Sequence, residues 1–507
     1  MYQAGPSFGF ELNELPSGNS LINMGSAHVI DGNGYILNSS TYFQTNVVFS
    51  SQNMRYVGGD RVLCASSTWT APCSFGSGAY MEPVIGLMDT LGAVTSMKQY
   101  ALNSGVCGGL TKGLLPTADS GAIVWGRDYG PFALRVDGSL EPVWSKRLMD
   151  AGAFSFFKEF PNGDLLAGIN RQTAGVVVAR MNAAGEVLWS RSYIRPRGVV
   201  SDALIEPDGS FVLVGYTDST GTTDPIFTPL PPGYNPKLFM MKLNGEGDVL
   251  WCKGYRSTTN LWYTRRDAVI RRTLDGQYAV LATLGPPAQH DWFRPYLMKT
   301  DLNGDTLWTR SVGRHNYTYL AQDLQASSDG GYMISGIIYG SMPGNQSGLM
   351  YIYKADSLGH FECWERVPSI EVMDLFPVDS TVILNIISGV ATADPMDFTD
   401  SILDSSIFTT YDGCSFTTGF PSTMATRRPI FVRPNPTRGR FTLEVQDPLL
   451  KDSFYSVYDA TGRLLYQRPL PAGTNLEEID LTRFGRGTYV LRVTDPEGVR
   501  HERVVVE

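Results

Sequence analysis

At 507 residues the chain is too long for one ordinary core and must divide into domains or repeats. A formal net charge of −9, with no clustered Lys and Arg, excludes a general binder of nucleic acid or of acidic membranes. The 53 Gly, 30 Pro and 25 Tyr beside only 18% charged residues describe many short strands and turns, and no apolar run is long enough to span a bilayer as a helix.

The opening Met1-Tyr2-Gln3-Ala4-Gly5-Pro6 has neither a basic nor an apolar region, so an exported form is expected to have lost its signal peptide already. The cysteines Cys64, Cys73, Cys107, Cys252, Cys363 and Cys414 show no C-x-x-C pair, which argues against a thiolate zinc site. In an oxidising compartment the expected disulfides are Cys64 with Cys73, which bracket a Ser/Thr/Pro-rich loop, and Cys363 with Cys414, with buried free thiols as the other reading of each pair.

Two phrases alternate along the first four-fifths of the chain. One is an Asn-Gly or Asp-Gly turn entering an apolar run, as in Pro161-Asn162-Gly163-Asp164-Leu165, Pro207-Asp208-Gly209-Ser210-Phe211, Leu274-Asp275-Gly276-Gln277-Tyr278 and Ser328-Asp329-Gly330-Gly331-Tyr332. The other is an apolar run, a polar turn with Gly, then Trp four residues later: Gly185 to Trp189, Gly247 to Trp251, Gly304 to Trp308. Looser copies lie at Gly92 to Ser96, Asp137 to Trp144 and Gly359 to Trp364. Each repeat reads as four strands, such as 202–206, 211–216, 237–243 and 249–255, with no helical stripe between them. Weaker copies run over 8–43 and 371–414. A lone four-stranded unit cannot bury both faces, so the units are expected to stack, with the recurrent Trp as core between them. This pattern resembles the propeller-type repeats of secreted bacterial proteins. It implies an all-β chain with a seven- or eight-bladed β-propeller over residues 1–416.

In such units the tight turns share one end of the sheets, and the long connections crowd the other. The long connections hold Tyr234, Trp262, Tyr263, Arg265, Arg266, His290, Trp292, Phe293, Arg294, Arg314, His315, Tyr317 and Tyr319. Flat aromatic rings with Arg and His suit sugar rings and carboxylates or sulfates, so a glycan or protein ligand is expected there; the competing reading is that these rings pack the loops together. The acidic run Asp394, Asp397, Asp400 and Asp404 offers oxygen ligands to calcium, but its spacing matches no calcium loop and a solvated loop explains it; no other cofactor or metal is expected. Nucleophile elbow, H-E-x-x-H, P-loop and dinucleotide motifs are absent, and the five histidines are scattered. The sequence therefore favours a binding protein, with no catalytic residue assigned. The alternative is a secreted propeller glycosidase or lyase on acidic polysaccharide, using arginines with Tyr263 and Asp267.

Residues 417–428 read as a linker, and 429–507 as a strand series forming a small Ig-like β-sandwich. Its motifs are Pro434-Asn435-Pro436-Thr437-Arg438-Gly439, then Val457-Tyr458-Asp459-Ala460-Thr461-Gly462-Arg463, then Ile479-Asp480-Leu481, Gly487-Thr488-Tyr489 and Arg503-Val504-Val505-Val506. In that order they resemble the type A C-terminal sorting domain of type IX secretion cargo, the Por secretion family. The resemblance implies Bacteroidota cargo that is secreted or held at the outer cell surface and handled by the type IX machinery, with Pro434, Asn435, Pro436, Gly439, Asp459, Gly462, Asp480, Gly487 and Tyr489 as signal residues.

Overall fold

The computed structural model describes residues 11–23, 27–30, 36–43, 53–72, 79–91, 93–102, 110–127, 130–150, 152–171, 175–193, 197–218, 237–258, 262–263, 268–285, 293–314, 317–340, 349–361, 363–389, 391–395, 399–402, 430–445, 453–459, 464–471, 473–495 and 498–506. They are all-β apart from one 3-10 turn at Thr482–Phe484. The chain packs as two compact units, Met1–Ser415 and Phe416–Glu507.

The described residues of the N-terminal unit form seven antiparallel sheets. The first holds Leu12–Glu14, Ser20–Asn23, Ala27–Ile30 and Ile36–Phe43; the second Asn53–Gly58, Arg61–Pro72, Ala79–Met88 and Val94–Ala101; the third Leu110–Pro116, Ala122–Arg127, Pro131–Val136 and Pro142–Leu148. The fourth holds Ala153–Glu159, Leu165–Arg171, Gly175–Met181 and Val187–Tyr193; the fifth Arg197–Ile205, Phe211–Asp218, Lys237–Leu243 and Val249–Ser257. In the sixth, Trp262–Tyr263 and Val269–Arg272 both pair with Tyr278–Gly285, followed by Arg294–Thr300 and Thr306–Val312; the seventh holds Tyr317–Ala326, Tyr332–Gly340 and Leu349–Ala355. Each sheet contacts the next, and the seventh contacts the first. At that closure Asp323 accepts from the Leu12 N–H at 3.0 Å, and Glu14 accepts from the Ser328 N–H at 2.9 Å.

The tight turns share one geometry. In 206–210 the Glu206 N–H donates to Ser210 O and the Gly209 N–H to Glu206 O; 182–186, 244–248, 301–305 and 356–360 repeat it. This turn needs a left-handed residue at its fourth position, which Gly supplies at 185, 209, 247, 304 and 359. In the last four of these turns named, an Asn or Asp side chain at the first position accepts two backbone N–H groups, as Asn244 does from Glu246 and Asp248.

These turns also carry the seam between sheets. A Cβ built on Gly247 would lie 3.0 Å from the Trp189 ring, on Gly304 3.0 Å from Trp251, and on Gly359 2.4 Å from Trp308. Tyr193 and Tyr255 donate to the Gly247 and Gly304 carbonyls at 2.6 Å. The tryptophans expected as core are thus half-buried. The core between sheets is aliphatic with Phe, Tyr and the buried Trp125, and each recurrent Trp packs at its margin, beside the next sheet's turn. Trp364 does not join this series.

The reading of 371–414 as a weaker repeat is corrected. The described part of that stretch builds no sheet of its own; from residue 365 the chain runs backward along six sheets in reverse order. Glu365–Arg366 pairs with the sixth, Ile370–Asp374 with the fifth, Asp379–Thr381 with the fourth, Ile386–Gly389 with the third, Thr392–Pro395 with the second and Thr399–Ile402 with the first. Each covers the edge opposite the sheet's first strand, where open backbone donors and acceptors would otherwise face water. The Cys64–Cys73 pairing is also corrected. Cys64 is a buried free thiol set against Gly86, and burial pushes it up to about 12; Cys252 is free as well. Cys363 is in a disulfide, and its expected partner Cys414 lies outside the described residues.

The C-terminal unit has a three-stranded sheet of Ile430–Arg433, Arg440–Val445 and Leu476–Asp480, and a four-stranded sheet of Leu464–Leu470, Ser453–Asp459, Gly487–Asp495 and Gly498–Val506. One core joins them, built from Phe441, Leu443, Tyr455, Val457, Leu491 and Val504.

The seam is testable with two glycines of equal backbone. Gly163 (φ +83°) has nothing within 4 Å of a built Cβ, whereas Gly304 (φ +79°) meets Trp251 and Tyr255. Ala at either carries the left-handed penalty, about 1 kcal/mol. Gly304→Ala should lose about 1–3 kcal/mol more by overpacking, read as the difference between urea midpoints. Equal losses would show that the seam does not resist.

Candidate functional site

Two charged clusters occupy the N-terminal unit, and they differ in whether their charges are balanced. The first joins the innermost strands. Arg55 pairs with Glu11 at 2.6 Å, Lys158 with Asp202 at 2.7 Å, and Arg271 bridges Asp202 at 2.9 Å and Asp323 at 2.7 Å. Six sheets contribute one charge each, from the first strand, from the residue before it for Glu11, or from Val269–Arg272 in the sixth sheet for Arg271, so those strands converge on a common centre. Burial works against the Asp202 carboxylate, but Lys158 and Arg271 outweigh it and hold its pKa below the usual range. Burial pushes Glu11 up to about 7 against the pull of Arg55, and it pulls the Lys158 ammonium down despite Asp202. Three carboxylates face three cations, so the cluster satisfies itself. Sequence reasoning missed it because its members are 44 to 69 residues from their partners.

The second cluster lies where the sixth and seventh sheets meet, at the end opposite the tight turns. Arg294 opens the strand Arg294–Thr300 and is only 8% exposed. Its Nε is buried with no hydrogen-bond partner, and the described side chains acting on its charge are Arg366 and Tyr319, neither a carboxylate. Burial and then the Arg366 guanidinium push its pKa down. Arg366 is held there by the return strand, opposite Ser311. Gly313 (φ +139°) makes room: a Cβ there would lie 3.0 Å from the Tyr319 ring and 3.4 Å from Arg294 Cγ. Phe293 lies over Gly285, where no side chain fits, and its carbonyl accepts from the Tyr319 N–H at 2.7 Å. Tyr319 packs into a ring cluster with Tyr317, Tyr351 and Tyr353. Arg314 lies over Tyr317 at 5.9 Å and over Trp364 at 5.3 Å; Trp364 is 41% exposed with φ +58°.

The structure thus brings together Phe293, Arg294, Arg314, Tyr317 and Tyr319. Trp262 and Tyr263 are described as backbone only, pairing with Gly285 and Leu284 at the same end. Tyr234, Arg265, Arg266, His290, Trp292 and His315, and Asp267 of the enzymatic reading, lie outside the described residues. Sequence reasoning missed Gly313, Trp364 and Arg366 as members of this cluster. Of the acidic run, Asp394 is exposed on the second sheet's return strand; the side chains of Asp397, Asp400 and Asp404 lie outside the described residues. Among the described residues no group of His, Cys, Asp and Glu could hold a metal ion.

In the C-terminal unit the first and last motifs meet. Asn435 accepts from the Val505 N–H at 2.8 Å and donates to Arg503 O at 2.5 Å, and the Thr437 N–H donates to Val505 O. Gly439 (φ +104°) lies against Thr482, and its carbonyl accepts from Leu481 N–H. Asp480 accepts from Thr482 and Arg440, and the Thr482 hydrogen bonds hold its carboxyl below the usual range. Tyr489 donates to the carbonyls of Phe484 and Gly485. Asp459 pairs opposite Tyr489, Gly487 opposite Val506, and Gly462 lies outside the described residues. Pro434, Pro436, Thr437, Arg438, Arg440 and Thr482 line an open hollow of about 470 Å³.

Residues 432–507 match the family described as a secretion system C-terminal sorting domain. The chain carries a type IX sorting tail. The tail makes it exported cargo, and no helix of the described residues is long and apolar enough to cross a membrane. Among solved structures, a protein of unknown function from Bacteroides caccae is 11% identical, with a TM-score of 0.33 over 62% of this chain and 94% of that one. PorZ, an essential surface component of the type IX secretion system of Porphyromonas gingivalis, is 10% identical, with a TM-score of 0.18 over 99% of this chain and 82% of that one. A GH43 glycoside hydrolase is 8% identical, with a TM-score of 0.22 over 78% and 97%. No curated protein matches the chain.

The central cluster makes a pH prediction. Glu11 is raised from 4.5 to about 7, so its contribution to stability is fully present below about pH 4.5 and is lost as pH rises through 7. The shift corresponds to about 3 kcal/mol. Glu11→Gln should remove that slope: the stability difference between wild type and variant should change by about 3 kcal/mol between pH 4 and pH 8, read by urea unfolding. A constant difference would show that Glu11 titrates normally.

Proposed function

We propose that this is a ligand-binding or adhesion protein of the outer cell surface of a Bacteroidota species. Its N-terminal unit is read as a seven-bladed β-propeller and its tail as an Ig-like sandwich handled by the type IX machinery. The ligand, a glycan or protein, sits at the long-connection end of the sixth and seventh sheets. The observation that carries this reading is Arg294, a buried guanidinium with no described anion beside it. Every cation of the central cluster has its carboxylate within 3 Å, so the fold satisfies buried charge where charge is structural. Around Arg294 lie Tyr317 and Trp364, rings suited to stacking on a ligand face. The type IX tail supports export to where such ligands occur.

Full-length protein screened on an array of extracellular polysaccharides should give saturable binding. Tyr317→Ala should weaken it about tenfold, the worth of one stacked ring. Lys354→Ala, at the tight-turn end of the seventh sheet, should leave it unchanged. Equal effects of the two would place the ligand elsewhere. Removal of residues 432–507 should retain the protein inside the cell, read by surface fractionation.

A further inference from the structure

We infer that the ligand is an acidic polysaccharide, one of whose carboxylate or sulfate groups is the counterion that no described residue gives Arg294. The inference rests on the reading that the ligand sits at this end of the sheets, and goes on to name its chemistry. Arg294 is more than nine-tenths buried, its Nε has no partner, and the nearby Arg366 adds like charge where a structural site would supply a carboxylate. Glu365, the acid next to Arg366 in the chain, is already engaged by Arg310 and His360. A guanidinium fork matches the two oxygens of a carboxylate or sulfate, and a second arginine beside it raises the local preference for anions.

A sugar acid fits better than an acidic peptide. The exposed face of Trp364 and the partly exposed Tyr317, bridged by Arg314, give flat apolar surface beside the charge, the pairing that a charged sugar ring presents. Gly313 is the device that admits both Arg294 and Tyr319. With any side chain there, the tyrosine ring and the arginine stem would have to move apart.

Calorimetric titration of the full chain with oligogalacturonate, its fully methyl-esterified form and a heparin-derived oligosaccharide separates the outcomes. At least one acidic probe should bind, which one telling carboxylate from sulfate, and the neutral ester should bind at least about 30-fold more weakly, the low end for losing a buried charge partner. Arg294→Met should abolish the preference for the acidic form while raising the melting temperature of the unliganded protein, because it removes an uncompensated charge. A satisfied structural arginine would lower it instead. Arg366→Gln, at an exposed position, should weaken acidic binding several-fold without altering the fold.

Ester and acid binding alike, still sensitive to Tyr317→Ala, would sustain the location and overturn the anion. Preference for polyglutamate over every sugar would overturn the polysaccharide, and no binding of any probe or array glycan would overturn the acidic polysaccharide together with the glycan reading of the site.

Discussion

Everything in the N-terminal unit depends on each sheet having a neighbour on both faces. A four-stranded sheet here carries apolar residues on both sides, as Val177 and Val178 do when they fall on opposite faces and are both buried. No sheet is stable until the next one covers it. The repeat therefore has to close, and the closing contact sets Leu12, Ile22 and Ile30 of the first sheet against Met333 and Ile352 of the seventh, with Leu12–Glu14 along the strand Tyr317–Ala326. The Trp-on-Gly seams set the spacing of this stack at the turn end, and the central ion pairs set it at the innermost strands. Losing one seam uncovers two sheet faces at once.

The return strand solves a different problem. Closing the stack satisfies faces but leaves every outer strand with an open edge, a template for pairing with other chains. Running the chain back along six of those edges pairs them, as Tyr193 does with Asp379 and Ser257 with Ile370. It also places residues from a second pass of the chain beside the first. The Arg294 cluster is made this way: Phe293, Arg294, Gly313, Arg314 and Tyr317 come from the forward pass, Trp364 and Arg366 from the start of the return. A site at that junction needs no extra domain.

What was legible in the sequence was local. A turn of five residues with Gly at its left-handed position writes its own signature, so Gly209, Gly247 and Gly304 could be read directly, and strand bounds followed within a few residues. The return path was not legible. Its strands are two to five residues long, mostly exposed, and pair with partners more than a hundred residues away for five of the six sheets. Their apolar residues therefore looked like one more weak repeat. Burial was misjudged for the tryptophans because a large aromatic at a fixed repeat position fits a seam as well as a core. Arg294 was visible as a residue type, but that no described residue supplies its counterion was not, since pairing is a property of the fold. Cys64 looked pairable from spacing alone, yet its thiol faces Gly86 across the sheet.

The tail extends the same logic to sorting. Its first and last motifs lie at the two ends of the matched stretch, Pro434 to Gly439 at one and Arg503 to Val506 at the other, and the Asn435 side chain closes onto the last strand through both its donor and its acceptor. Thr437 adds a backbone bond to Val505, and Gly439 joins the same corner to Leu481 and Thr482. Read as a linear peptide, neither motif holds a shape; the prolines and the final strand acquire fixed positions only when the sandwich has formed around Leu443, Val457 and Leu491. A machinery that recognises this corner therefore reads a folded surface, and cargo whose tail has not folded presents no such surface to read.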